Sequence, residues 1–77
     1  MVKLLVNRTL HKIKEITYTN SEVIFKTRKR QWSLPFSVDE RIFIEFINGL
    51  GPEVYTLAVL EDILEQLVDD EVETADY

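Results

Sequence analysis

The chain has 77 residues, of which 45% are hydrophobic and 30% charged, and its formal net charge is −5. That length suits one small domain, and the balance is that of an ordinary globular chain rather than a disordered or membrane one. With no cysteine and a single histidine, His11, the composition excludes a disulfide framework, a thiol nucleophile, a zinc ribbon and any site built from several imidazoles.

The N-terminal apolar run, Leu4-Leu5-Val6, is far shorter than the roughly 7–15 residues of a secretory signal. No run approaches the roughly 18 apolar residues of a membrane span, so a cytoplasmic protein without membrane contact is expected. Asn7-Arg8-Thr9 matches the glycosylation sequon and, without a secretory signal, reads as a chance match. Val2, Leu4 and Val6 alternate as in a strand, whereas Val6, Leu10 and Ile13 fit a helical turn. The reading adopted is a strand at 2–6, a turn, and strand structure resuming near residue 12.

From Lys14 to Phe36 the pattern is that of strands. Lys14–Thr19 and Glu22–Thr27 are rich in β-branched and aromatic residues, and Asn20-Ser21 between them suits a tight hairpin turn. Val23, Phe25 and Thr27 share one face of the second strand. Gln31 to Phe36 places Trp32, Leu34 and Phe36 together, and Pro35 confines that strand to an edge or to one-sided pairing.

Ser37-Val38-Asp39-Glu40 has the form of a capping box, with the Ser37 hydroxyl accepting from residue 40 and Glu40 reaching back. Val38, Ile42, Phe43, Phe46, Ile47 and Leu50 then fall on one side of a helix. Asn48-Gly49 closes it, with Gly49 suited to a left-handed cap. The second helix starts between Pro52, which favours a first helical position, and Leu57, for which Thr56 is the N-cap. Leu57, Leu60, Ile63, Leu64, Leu67 and Val68 form its apolar stripe. The fold class is therefore α+β: an antiparallel three- or four-stranded sheet over about residues 2–36, then two helices at about 38–49 and 54–70 packed on one face. Residues 1–70 form the domain, and the acidic stretch 71–77 is expected to be a mobile tail.

The charge is split along the chain. Residues 1–41 hold nine Lys and Arg against four carboxylates (Glu15, Glu22, Asp39, Glu40), a balance of +5, and residues 42–77 hold ten carboxylates with no Lys or Arg, a balance of −10. Such asymmetry bears on partners and self-association rather than on fold. On the second helix Glu61, Glu65 and Asp69 recur every four residues, with Asp62 three before Glu65 and Asp70 following. Like charges at these spacings each cost about 0.2–0.5 kcal/mol, and acids near a helix C-terminus oppose its dipole by a further 0.3–1 kcal/mol or so. A cationic protein partner would relieve both, and Ile44 and Val59, apolar residues on otherwise polar helix sides, would extend that contact if they prove to be neighbours. The bland alternative is a face that only keeps the chain soluble.

The opposite pole is the run 26–32, in which Lys26, Arg28, Lys29 and Arg30 are followed by Trp32. It could hold nucleic-acid phosphates with Trp32 stacking on a base, or be a solvated turn with Trp32 in the core. Two glycines allow no phosphate-cradling loop, and no nucleophile elbow or ligand spacing is present, so no catalytic residue, metal or cofactor is expected. The expectation is a small non-enzymatic regulatory or adaptor module that binds a protein through its acidic helix face. Nucleic-acid binding by 26–32 and an acidic inhibitor that mimics DNA are the alternatives. Self-association is compatible with all three, and the length suits a regulator of phage or mobile-element kind.

Overall fold

A computed structural model describes the backbone of residues 2–75 and the side chains of residues 2–68. The elements run β1 (Lys3–Val6), β2 (Thr9–Lys12), β3 (Glu15–Tyr18), β4 (Val23–Lys26), β5 (Gln31–Leu34), α1 (Glu40–Gly49), β6 (Val54–Thr56) and α2 (Leu57–Ala75). The class is α+β, but the strands form two three-stranded sheets, ordered β2-β1-β6 and β3-β4-β5, in place of one. The expectation of a wholly antiparallel sheet preceding both helices is corrected by β6. It lies between α1 and α2 and pairs parallel to β1, with Lys3 opposite Val54 and Leu5 opposite Thr56. Parallel neighbours need a long crossover connection, and everything from β2 to α1 serves as that connection here.

The sheets meet where one strand changes partner. The Ile13 N–H donates to the Val2 carbonyl at 3.2 Å, and the Lys14 N–H donates to the Lys26 carbonyl at 2.8 Å. Successive amides of an extended strand point to opposite sides, so the chain passes from one sheet to the other without a turn. Lys26 also stands opposite Glu15 in the β3–β4 register. Two residues therefore face one, which is the arrangement of a β-bulge and bends the strand at this point.

Three hairpins complete the sheets. Asn7 and Arg8 join β1 to β2 as a two-residue loop with φ of 50° and 65°. Positive φ at both positions is what a type I′ turn demands, and it matches the right-handed twist of the strands. The β3–β4 and β4–β5 loops each start with a threonine. The Thr19 hydroxyl accepts from the N–H groups of Ser21 and Glu22, both at 3.2 Å, and Thr27 does the same in the second loop.

The core consists of Leu4, Ile13, Val23, Phe25, Leu34, Val38, Ile42, Phe46, Leu60 and Leu64. Phe46 of α1 meets Phe25 of β4 edge to face, with ring centroids 6.1 Å apart, and Phe43 lies 4.5 Å from Tyr18. The second helix lies along β1 and β6 and touches α1. The stripes expected on both helices are the sides turned inward. Both ends of α1 differ from expectation, whereas α2 starts at Leu57, one of the two expected starts. Asp39, not Ser37, is the N-cap of α1, and its Oδ1 accepts from the Ile42 N–H at 2.8 Å. Gly49 takes no left-handed conformation; the helix closes through the Leu50 N–H on the Ile47 carbonyl at 3.2 Å. Thr56 caps α2 by accepting from Val59 N–H at 3.2 Å, because Val54–Thr56 is held extended against β1. The backbone of α2 continues past residue 70 to Ala75, and the side chains of the acidic stretch 71–77 lie outside the described residues. Among the described residues no helix is long and apolar enough to cross a membrane.

Glycine is thus absent where the backbone calls for it and present where it does not. Arg8 holds a left-handed φ that costs a side-chain-bearing residue about 1 kcal/mol. A Cβ on Gly49 would meet nothing within 4 Å. Arg8→Gly and Gly49→Ala are both expected to stabilise the fold, each by about 0.5–1 kcal/mol, raising Tm by a few degrees in thermal unfolding followed by circular dichroism. A fall in Tm for either would contradict the backbone described.

Candidate functional site

The Thr27 turn is built by its own first side chain. Thr27 Oγ1 accepts from the N–H groups of Lys29 at 3.2 Å and Arg30 at 2.9 Å, and donates to the Arg30 carbonyl at 3.2 Å. The Thr27 N–H closes the loop on that same carbonyl at 2.8 Å. A hydroxyl that satisfies three backbone groups fixes the loop without glycine, and the side chains of Arg28, Lys29 and Arg30 are left exposed.

The strand bend brings a second basic segment beside this turn. His11 and Lys12 at the end of β2 and Lys14 at the bend join Thr27, Arg28, Lys29 and Arg30 around an open cleft of about 480 Å³. Five of these seven side chains are cationic and none is a carboxylate. Among the described residues, none of the five makes an ion pair. So many like charges in one concavity repel one another and raise the local potential felt by an approaching anion.

The residues expected of the basic run are not equivalent. Arg28, Lys29 and Arg30 line the cleft. Lys26 lies 3.9 Å from Glu15 in an exposed pair and is absent from the lining. Trp32 is half-buried against the core and holds His11 edge-on, with centroids 4.7 Å apart at 60°. It supports one wall of the cleft through His11. Sequence reasoning missed His11, Lys12 and Lys14. The one local signal for the lysines is that Lys12 and Lys14 flank the buried Ile13 and so share a strand face.

The acidic residues sit elsewhere. Glu61, Asp62 and Glu65 are exposed on α2, while the side chains of Asp69 and Asp70 lie outside the described residues. Ile44 is 49% and Val59 45% exposed. Near the end of that stretch, Val68 shares a concavity with Tyr18 and Asn20. These belong to the β3–β4 turn, at the opposite end of its sheet from the β4–β5 turn. Four-residue strands separate the two ends by roughly 13 Å, more than the screening length of about 8 Å at physiological salt. The positive cleft and the Val68 end of α2 are therefore separate poles.

No described group of three or more His, Asp or Glu side chains is arranged to hold a metal ion. No protein-family model, curated protein or solved structure matches the chain.

Because one hydroxyl holds the turn, Thr27→Ala should destabilise the domain by about 1 kcal/mol, whereas Thr27→Ser should stay near wild type in urea unfolding. Equal stability of the Ala and Ser variants would mean that the turn does not depend on that oxygen.

Proposed function

We propose that this chain is a small, non-enzymatic binding module whose basic cleft holds the phosphate backbone of a nucleic acid. The observation that carries this reading is the convergence of Lys12, Lys14, Arg28, Lys29 and Arg30, from two chain segments, on one concavity with no carboxylate in its lining. Phosphate contacts of this type fix position without reading sequence. Trp32 is half-buried against the core and packs on His11, which favours backbone contacts over base stacking. The overall acidity is a weak objection. None of the acids described on α2 lines the cleft, and the Val68 end of that helix lies with the β3–β4 turn, beyond the screening length from the β4–β5 turn.

A second reading keeps the acidic side of α2 as a docking face for a cationic protein, through Glu61, Asp62, Glu65, Asp69 and Asp70, with the exposed Ile44 and Val59 as its candidate apolar contacts. What favours it is the exposure of the first three to solvent and the absence of any Lys or Arg after residue 41 to neutralise them.

Fluorescence anisotropy with labelled oligonucleotides across a salt series tests the first reading. Five phosphate contacts correspond to a log–log slope of about −3.5 on a single strand and about −4.5 on a duplex. Arg28→Ala with Arg30→Ala should weaken binding to every sequence alike and flatten the single-strand slope by about 1.4. No binding at about 50 mM salt, or unchanged affinity in the double variant, would remove nucleic acid as the cleft's ligand.

A further inference from the structure

We infer that the basic cleft also receives the acidic side of α2 from a second copy of this chain, so that subunits join head to tail. The two surfaces are complementary in kind and separate in place. The cleft gathers five cations without a carboxylate in its lining and without an ion pair among the described residues. The helix presents Glu61, Asp62 and Glu65 to solvent, with no cation anywhere in residues 42–77. Within one subunit the Val68 end of this helix lies with Tyr18 and Asn20, away from the turn that carries Arg28 to Arg30.

The local geometry suits the pairing. Glu61 and Glu65 are one helical turn apart, which sets their Cβ atoms about 5–6 Å from each other on one side. Arg28 and Arg30 offer planar guanidinium forks that take carboxylates in pairs of parallel hydrogen bonds. A contact between two different patches is heterologous. It grows into a ring or an open filament, because every added subunit presents a free cleft at one end and a free helix at the other. An acidic helix seated in the cleft would also exclude nucleic acid from it. The association itself rests on the charge separation alone and stands whichever ligand the cleft takes otherwise.

Sedimentation velocity on the full chain, without nucleic acid, tests this at about 10 mM salt, where charges act over roughly 30 Å, and at about 1 M, where screening confines them to roughly 3 Å. The wild-type average mass should rise with concentration to at least twice the monomer at low salt and return to the monomer at high salt. Two neutralised variants sharpen the result. One carries Lys12→Ala, Arg28→Ala and Arg30→Ala; the other carries Glu61→Gln, Asp62→Asn and Glu65→Gln. All six positions are exposed, so both are expected to keep the wild-type circular dichroism spectrum. Each alone should be monomeric. An equimolar mixture should stop at a heterodimer, because only one intact cleft and one intact helix can meet. A wild-type chain that stays monomeric at low salt overturns the inference without reference to either variant. So does assembly of each variant at wild-type strength, or a mixture that never pairs.

Discussion

Two consecutive hydrogen bonds organise this molecule. Ile13 donates to Val2, just ahead of β1, and Lys14 donates to Lys26 of β4, so the link between β2 and β3 is tied to both sheets. Ile13 is buried and joins the core from the middle of that crossing, while Lys12 and Lys14 on either side of it are exposed. The same bend therefore does two things. It closes one hydrophobic core under both sheets, and it sets two lysines beside the turn that carries Arg28, Lys29 and Arg30. Without the change of partner the chain would hold two separate basic stretches. With it they share a cleft.

Concentrating cations costs stability in a domain of this size, where the whole margin is a few kcal/mol. The structure limits that cost by leaving the charges in solvent and by fixing backbone instead of side chains: Thr27 anchors the turn through three backbone groups while its neighbours stay exposed. The acids are handled in the same manner. On α2 Glu61, Asp62 and Glu65 are exposed, while Leu60 and Leu64 are buried against the rest of the core. Charge segregation thus follows from amphipathic periodicity on the helix and from strand pairing in the sheets. These are two independent constraints, and none of the described acids of α2 enters the lining of the cleft.

The sequence made the helices legible because apolar residues recur there with a period no strand can use, and the stripes alone name Ile42, Phe46, Leu60 and Leu64 as core. The hairpins around Asn20-Ser21 and Arg28-Lys29 were legible for a similar reason, since β-branched and aromatic runs flank polar residues. What failed was non-local. Strand β6 is three residues long and runs directly into a helix, so Val54-Tyr55-Thr56 carries no periodic signal of its own, and its parallel partner lies about fifty residues upstream. The split into two sheets hinges on Ile13-Lys14, a dipeptide without Gly, Pro or Asn to mark it. At the start of α1, Ser37 and Asp39 both have capping chemistry, and only the Asp39 Oδ1 to Ile42 N–H bond distinguishes them. Half of the basic site was readable as a charge run. His11, Lys12 and Lys14 enter it solely through a pairing that sequence spacing does not encode.

Residue-resolved amide hydrogen exchange probes the link between β2 and β3 most directly. In a strand paired on one side, alternate amides face solvent and exchange fast. Here Ile13 and Lys14, adjacent in sequence, should both be protected to nearly the level of the core strand β4, because each has a partner on its own side. Protection at Ile13 with rapid exchange at Lys14 would mean that the strand ends in the first sheet. The cleft, and everything inferred from it, would then lose its foundation.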